Sequence, residues 1–387
     1  MKDKKIKVLT IITKLELGGA QKVALYTANN LGDDFESYFI SGEKGLLDND
    51  KIDKYKNIKQ FFNIQELKRN VNLIFDTISA FKIMTIILKI KPDIIHTHSS
   101  KAGIIGRFVA YFLGIKGIVH TYHGFGFHDS QNKIKKFFFV IIERFAAKCA
   151  NKLIAVSKFN IQKALEKKIG KILQYEIIRC GIQLKKYFSH DKSIVVKELE
   201  KLPKDSIIIG MIACFKPQKS PLDFVEIAKK LIDKYNEKNL YFVMIGDGEL
   251  RSKIEEKIKN YDIKKRFKLL GWRTDIYEIL HYFDILVLTS IFEGLPMALL
   301  EGIALGVPIV ATNVDGIQEI IENEKNGFLL KCHDIDGFVD KISNLLENKN
   351  LREIFVENGK KILTDEFDES VVIEKTKNLY FSIFLKK

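Results

Sequence analysis

The sequence predicts an α/β protein built on two doubly wound parallel sheets, one in each half of the chain. Short, nearly uninterrupted apolar runs alternate with longer amphipathic ones, which is the rhythm of parallel strands joined by crossover helices. That rhythm occurs once before and once after residues 184–205, a polar, charged stretch without periodicity that reads as a linker. With 387 residues, 46% of them hydrophobic, the chain is long enough for two cores.

In the first half, residues 7–12, 37–41, 94–97, 117–122 and 153–157 read as strands, and 21–31, 72–90, 102–113 and 133–150 as helices. In the second, 207–213, 241–245, 267–270, 285–288 and 307–311 read as strands, separated by helices at 221–235, 250–260, 274–280 and 297–305. The basic N-terminus resembles the start of a signal peptide, but its apolar core is short, Lys14 and Glu16 follow, and no small-residue cleavage site appears. It reads as the first strand. No uncharged apolar run reaches the roughly 18 residues of a membrane span, so any membrane contact is expected at the surface.

The formal charge of +14 implies anionic partners. Lysine is spread along the chain and no RNA or DNA module is visible, which argues against nucleic acid. Cys149, Cys180, Cys214 and Cys332 are dispersed, without the pairing of a zinc knuckle or disulfide framework, and the chain reads as cytoplasmic and reduced.

In doubly wound sheets ligands bind beyond the carboxyl ends of the strands, so the following loops carry the chemistry. After the first strand, Gly18 and Gly19 open a helix; they fit a phosphate or sugar approaching the backbone, and equally a plain tight turn. His98, Ser99, Ser100 and Lys101 stand at another helix start, where a serine can serve as N-cap and Lys101 favours an anion. His123 ends a strand before Gly124 and sits where a ligand is expected. In the second half, Lys216 and Lys219 are placed to meet a diphosphate. Gly246-Asp247-Gly248 reads as a structural turn. Trp272 and Arg273 form a loop that fits a platform for a nucleobase, or a Trp folded into the core.

The most informative stretch is residues 289–319. A buried strand ends in Glu293-Gly294-Leu295-Pro296, where Gly294 permits close backbone approach and Pro296 marks the first helical position. Gly306 is expected to cap the helix and Pro308 to prevent its extension. Free amides at the helix start favour a negative ligand such as a diphosphate. Glu301 lies five residues beyond Pro296, so at about 1.5 Å per residue the two carboxylates are roughly 7 Å apart along the axis. They suit hydroxyls at two places on one extended ligand rather than a shared atom. The pairs Asp48/Asp50 and Asp334/Asp336 have metal-ligand spacing, but neither follows a strand into the expected site; they read as loop and helix-start carboxylates, and no metal or other cofactor is expected.

These motifs resemble, in order and over nearly the whole chain, the retaining, nucleotide-sugar-dependent glycosyltransferases of the GT-B type that carry a Glu, seven residues and a second Glu, here Glu293 and Glu301. The resemblance rests on the Gly18-Gly19 loop, HTHSSKAG, HTYHG, residues 213–219, IGDGELR, LLGWRTD, the Glu pair and DGIQEII. It implies two Rossmann-like domains facing across a cleft: an acceptor-binding domain over 1–190, a donor domain over 206–369, and a final helix within 370–387 that packs back on the first. It also implies that Glu293 meets the donor sugar, that the backbone of Gly294, Leu295 and Pro296 meets sugar and phosphate, and that Glu301 holds the ribose hydroxyls. Lys219 would neutralise the diphosphate, the loop through Trp272 and Arg273 would flank the base, Gly19 and His123 would reach the donor from the opposite domain, and His98, Ser99, Ser100 and Lys101 would meet the acceptor. One position departs from the pattern: the family usually has Arg five residues before the phosphate lysine, and this chain has Cys214.

The activity so implied is transfer of a sugar, with retention, from a nucleoside diphosphate sugar, a UDP-sugar by family weight. Beside the His123 loop, residues 133–142 combine lysines with a broad apolar face, which suits an anionic membrane surface. The expected acceptor is therefore a polyprenyl-diphosphate-linked saccharide at the inner face of the cytoplasmic membrane, as in assembly of bacterial surface polysaccharide. Two other functions fit the same fold: a nucleotide-sugar-binding partner without transfer activity, and a sugar-nucleotide epimerase.

Overall fold

The computed structural model describes residues 5–43, 45, 55–127, 131–188 and 195–385. Its chain forms two compact units, Met1–Gly181 with Glu369–Lys387, and Ile182–Asp368.

The first unit contains β1 (Ile6–Lys14), α1 (Gly19–Asn29), β2 (Phe35–Glu43), β3 (Ile58–Asn63), α2 (Leu73–Ile90), β4 (Ile94–His98), α3 (Ser100–Phe112), β5 (Gly117–Tyr122), α4 (Lys133–Lys148), β6 (Lys152–Ala155), α5 (Lys158–Glu166) and β7 (Tyr175–Ile177). Its sheet has the order β3-β2-β1-β4-β5-β6-β7, and every pairing is parallel. All residues of β4 and β5 are buried, as expected for strands covered by helices on both faces. One core cluster joins Ile83 and Ile87 of α2, Ala102 and Ala110 of α3 and Val140 of α4 to the sheet.

The second unit contains α6 (Leu184–Phe188), α7 (Lys197–Glu200), β8 (Ile207–Ile212), α8 (Pro221–Lys234), β9 (Leu240–Ile245), α9 (Arg251–Asn260), β10 (Phe267–Gly271), α10 (Ile276–Leu280), β11 (Ile285–Leu288), α11 (Met297–Leu305), β12 (Ile309–Thr312), β13 (Phe328–Leu330), α12 (Ile335–Glu347) and α13 (Lys349–Ile362). Its parallel sheet runs β10-β9-β8-β11-β12-β13. The last helix, α14 (Glu369–Phe384), belongs to the first unit, where Val372, Leu379 and Tyr380 pack with Ile6, Val8 and Leu31.

The α/β class with two parallel sheets agrees with the sequence. The strands that escape its periodicity are short or sit at sheet edges: β3 is mostly solvent-facing, and β7 and β13 have three residues each. The expected linker is a correction. Residues 184–205 include α6 and α7, and Leu184, Tyr187 and Leu199 are buried. Tyr187 packs edge-on against Tyr277 at 5.2 Å between centroids, so few but large contacts fix a segment too polar to show a pattern.

Candidate active site

Each sheet reverses its strand order once, between β1 and β4 in the first unit and between β8 and β11 in the second. Loops leaving the carboxyl ends of such strand pairs form the ligand crevice of doubly wound folds. The sequence-predicted residues cluster on them.

In the second unit, the loop after β8 turns through a single 3-10 helix, Pro217–Lys219, and the loop after β11 runs from Thr289 to Pro296. They are stitched together by Ile291 N–H to Gln218 O (2.7 Å), Gln218 Nε2 to Phe292 O (3.0 Å), and Thr289 Oγ1 to Lys219 O (3.0 Å) and Ser220 O (2.9 Å). The result is an ion pair between Lys219 Nζ and Glu293 Oε1. Ser290 Oγ donates to the same carboxylate oxygen at 2.6 Å, and the Glu293 amide donates to Asp315 Oδ2 at 2.9 Å. Burial would lower the pKa of the Lys219 amine, but the Glu293 carboxylate outweighs it and holds the ammonium above its ordinary value. The site therefore keeps its cation.

Helix α11 begins beside this pair. Pro296 is its N-cap, not its first helical residue as the sequence suggests, and a Pro side chain cannot accept from the first-turn amides. Gly306 ends the helix with φ +74°, a left-handed geometry that glycine adopts without strain. Glu293 and Glu301 are each only 6% exposed. A solvated face is thus excluded for both, and carboxylates are almost never buried unless paired.

The other loops support or flank this centre. Gly246 has φ +125°, and a Cβ there would lie 2.0 Å from Ala213 O. Only glycine lets the β9 loop come this close, and it then braces the Lys219 loop through Phe215 N–H to Asp247 O (2.9 Å) and Leu250 N–H to Phe215 O (3.0 Å). Cys214 is a free, half-buried thiol in that loop. Lys216 opens the 3-10 turn, its carbonyl accepting from Lys219 N–H at 2.9 Å. Trp272 is half-buried, neither a core residue nor a fully open platform. The Arg273 guanidinium holds Asp275 through two nitrogens, Nε at 2.8 Å and Nη2 at 2.5 Å, and Glu198 at 2.7 Å. It organises its own loop and α7. Asp334 caps α12 by accepting from Gly337 N–H at 3.0 Å, while Asp48 and Asp50 lie outside the described residues.

In the first unit, Gly18 is the N-cap of α1 with φ −102° and ψ 163°, a conformation open to any residue. A Cβ there would meet only the flexible end of Gln21, so the fold itself does not demand glycine. Ser99 occupies the N-cap position of α3 with φ +62°, yet makes no cap of its own. Its hydroxyl instead meets Thr13 Oγ1 at 2.6 Å, and Thr13 Oγ1 accepts the Ala102 amide at 3.2 Å. The helix is capped from the neighbouring strand. Ser100 begins α3 itself, close to where Gly126 passes. Lys101 bonds Asp76 Oδ1 at 2.5 Å and the Asn70 carbonyl, so its charge also ties α3 to α2.

His98 and His123 belong to a larger group. His96, His98, His120 and His123 all come from β4, β5 and the residue just beyond. His96 bridges Tyr380 OH (2.6 Å) and Thr121 Oγ1 (2.7 Å), His120 Nδ1 meets Thr97 Oγ1 (2.9 Å), and His98 Nδ1 meets His123 Nε2 (2.9 Å). Burial pushes His96 down to about 3 and His123 down to about 4, and holds His98 and His120 well below the usual imidazole range. All four are neutral at pH 7. His98, which the resemblance puts at the acceptor, is 2% exposed, and its Nδ1 is engaged with His123. The sequence pattern HTH…HTYH carried the signal of this cluster, since alternation puts the residues of one strand on shared faces. Nothing in it marked Thr13, Ser290 or Asp315 as the groups that hold the loops.

Comparison with known proteins shows the family and supports the fold. Residues 17–186 match the model of Glycosyltransferase Family 4, and residues 196–362 that of Glycosyl transferases group 1. The chain is 33% identical to a UDP-Gal:alpha-D-GlcNAc-diphosphoundecaprenol alpha-1,3-galactosyltransferase of Escherichia coli, over 99% of this chain and 98% of that protein. It is 30% identical to an N,N'-diacetylbacillosaminyl-diphospho-undecaprenol alpha-1,3-N-acetylgalactosaminyltransferase of Campylobacter jejuni, over 84% and 81% of the two chains. Among solved structures, Anabaena HepE in complex with UDP and glucose superposes with a TM-score of 0.79 at 17% identity, covering 97% of this chain and all of that one, which supports the fold. The chain belongs to the GT-B glycosyltransferases, in the family of the Glycosyl transferases group 1 and Glycosyltransferase Family 4 models.

Proposed function

We propose that this glycosyltransferase moves a sugar, with retention of anomeric configuration, from a UDP-sugar to a polyprenyl-diphosphate-linked saccharide during synthesis of a bacterial surface glycan. The observation that carries the reading is the buried Lys219–Glu293 pair at the start of α11, where cation, carboxylate and helix amides converge. The full-length likeness to a transferase named for UDP-Gal and a diphosphoundecaprenol acceptor supports the substrate classes. In this reading Lys219 and the α11 amides meet the diphosphate and stabilise charge growing on it as the glycosidic bond breaks, which makes the catalysis electrostatic and independent of a metal ion. Glu293 contacts the donor sugar, Glu301 the ribose hydroxyls, and His123 a substrate oxygen. The departing phosphate accepts the proton of the acceptor hydroxyl, which attacks the face that the phosphate leaves.

Those roles separate in kinetics. Glu301→Ala is expected to raise the KM for the UDP-sugar about tenfold or more, the loss of a charged hydrogen bond, with a smaller change in kcat. Glu293→Ala is expected to lower kcat more than it weakens UDP binding. Steady-state kinetics with calorimetric UDP titration distinguish them, and wild-type parameters in both variants refute the assignment.

Helix α4 supports a place at the inner face of the cytoplasmic membrane. Val140, Ala146 and Ala147 face the core, while Ile134, Phe137, Phe138, Ile142 and Phe145 are exposed alongside Lys133 and Lys135. Large apolar side chains beside cations suit an anionic bilayer surface, each cation contributing about 1 kcal/mol. No described helix is long and apolar enough to cross a membrane. In flotation with anionic liposomes the protein is expected to rise with the vesicles at low salt, and a Phe137→Ser/Phe138→Ser variant to stay behind; a wild type that stays behind contradicts peripheral binding.

A further inference from the structure

The two histidines at the carboxyl ends of β4 and β5 form an asymmetric pair. Their rings lie edge to edge, with centroids 5.2 Å apart and 24° between planes, and His98 Nδ1 lies 2.9 Å from His123 Nε2. The other nitrogen of His123, Nδ1, is buried and has no hydrogen-bond partner. Two neutral rings carry one hydrogen each, so only one of them donates in the shared bond, and that choice fixes what Nδ1 of His123 offers.

The surroundings of His98 decide the choice. Its ring lines a small cavity together with His96, Thr121 and Arg179. His96 has both nitrogens engaged, with Tyr380 and Thr121. That cavity is bordered mainly by apolar surface, Val23, Ile154, Val156, Ile178 and Val372 among it, where an unpaired donor is costlier than an unpaired lone pair, which favours a lone pair on His98 Nε2. His98 then carries its hydrogen on Nδ1 and donates it to His123 Nε2. The consequence falls on His123, whose hydrogen is left on Nδ1.

We infer that His98 is a positioning residue, which fixes the ring and tautomer of His123 so that His123 presents an Nδ1–H donor to a substrate oxygen. This rests on the reading of His123 as a substrate contact. A buried donor without an acceptor is unfavourable, and an incoming hydroxyl or phosphoryl oxygen relieves it. The pair is thereby organised for a ligand before the ligand arrives, and the rotation a free imidazole would undergo is removed in advance. The role differs from acceptor binding, since His98 touches no substrate.

A double-mutant cycle with steady-state kinetics tests it. His98→Leu is expected to lower kcat about tenfold or more, as small misplacements of reacting groups do, while the KM for the UDP-sugar changes less than about twofold. His98→Asn, whose amide can donate near the place of Nδ1, recovers most of the loss. In the His123→Ala background, His98→Leu costs nothing further, because the residue acts through His123. An additive loss in the double variant, or wild-type kcat in His98→Leu, overturns the inference and leaves His123 in place. Wild-type kinetics in His123→Ala overturn the parent reading instead. Nitrogen NMR of 15N-histidine-labelled wild type, with the His123 signals assigned by their loss in His123→Ala, needs no folded His98 variant: hydrogen on Nδ1 of His123 supports the inference, and hydrogen on Nε2 refutes it.

Discussion

Lys219→Ala is expected to lower kcat/KM for the UDP-sugar by a factor of about 10² to 10³, the usual loss when one preorganised electrostatic group is removed. Two effects act together. The diphosphate loses the cation that meets its growing charge, and Glu293, 6% exposed, loses the ammonium beside it. A buried carboxylate without its counter-charge either takes up a proton or moves, and both remove the geometry that Ser290 and Asp315 help to hold. Lys219→Met, which keeps the aliphatic stem, should lose nearly as much as the alanine variant, because the charge and not the packing is at stake. Near-wild-type kcat/KM in Lys219→Met contradicts the assignment.

The largest effect on stability is expected at Glu143. Arg107, with no exposed surface, donates from Nη2 to Glu143 Oε2 at 2.8 Å, from Nη1 to Tyr122 OH at 3.1 Å and from Nε to Gly103 O at 2.8 Å; Tyr122 OH donates to the same carboxylate at 3.0 Å. Glu143 holds the guanidinium even above its ordinary range against the opposing effect of burial. The trio joins α3, β5 and α4, the elements that carry Ser100 and Lys101, lead into His123, and present the exposed phenylalanines. Glu143→Ala leaves a fully buried cation uncompensated and should destabilise the protein by about 3–5 kcal/mol. Urea unfolding reads this directly; a shift below about 1 kcal/mol contradicts it. Glu143→Gln, which keeps an acceptor but not the charge, should fall between.

The contrast between these two sites shows what a sequence makes legible. Lys219, Glu293, Glu301 and Gly306 could be read because each sits at a fixed offset from a strand end or helix end, and strand ends are marked by where an apolar run stops. The same holds for His123. Arg107 and Glu143 lie in the middle of amphipathic helices, where a charged residue reads as a solvated face; only tertiary packing pairs them. The ion pairs of Lys101 and Arg273 were hidden for the same reason. Each stands at a legible ligand position, but its partner, Asp76 or Asp275 with Glu198, is set by loop geometry that no period encodes. Thr13 capping α3 across the sheet is a further case, since an N-cap is ordinarily sought in the residue just before the helix.

The central claim is transfer, and the product's anomeric configuration tests it most directly. The protein is incubated with UDP-galactose and other UDP-sugars, each with an N-acetylglucosaminyl-diphosphoundecaprenol acceptor, and the lipid-linked product is examined by NMR. The expected product is an acceptor extended by one sugar whose anomeric configuration is that of the donor. UDP-sugar binding without any extended product, isomerisation of the UDP-sugar in the absence of acceptor, or a product of inverted configuration would contradict it.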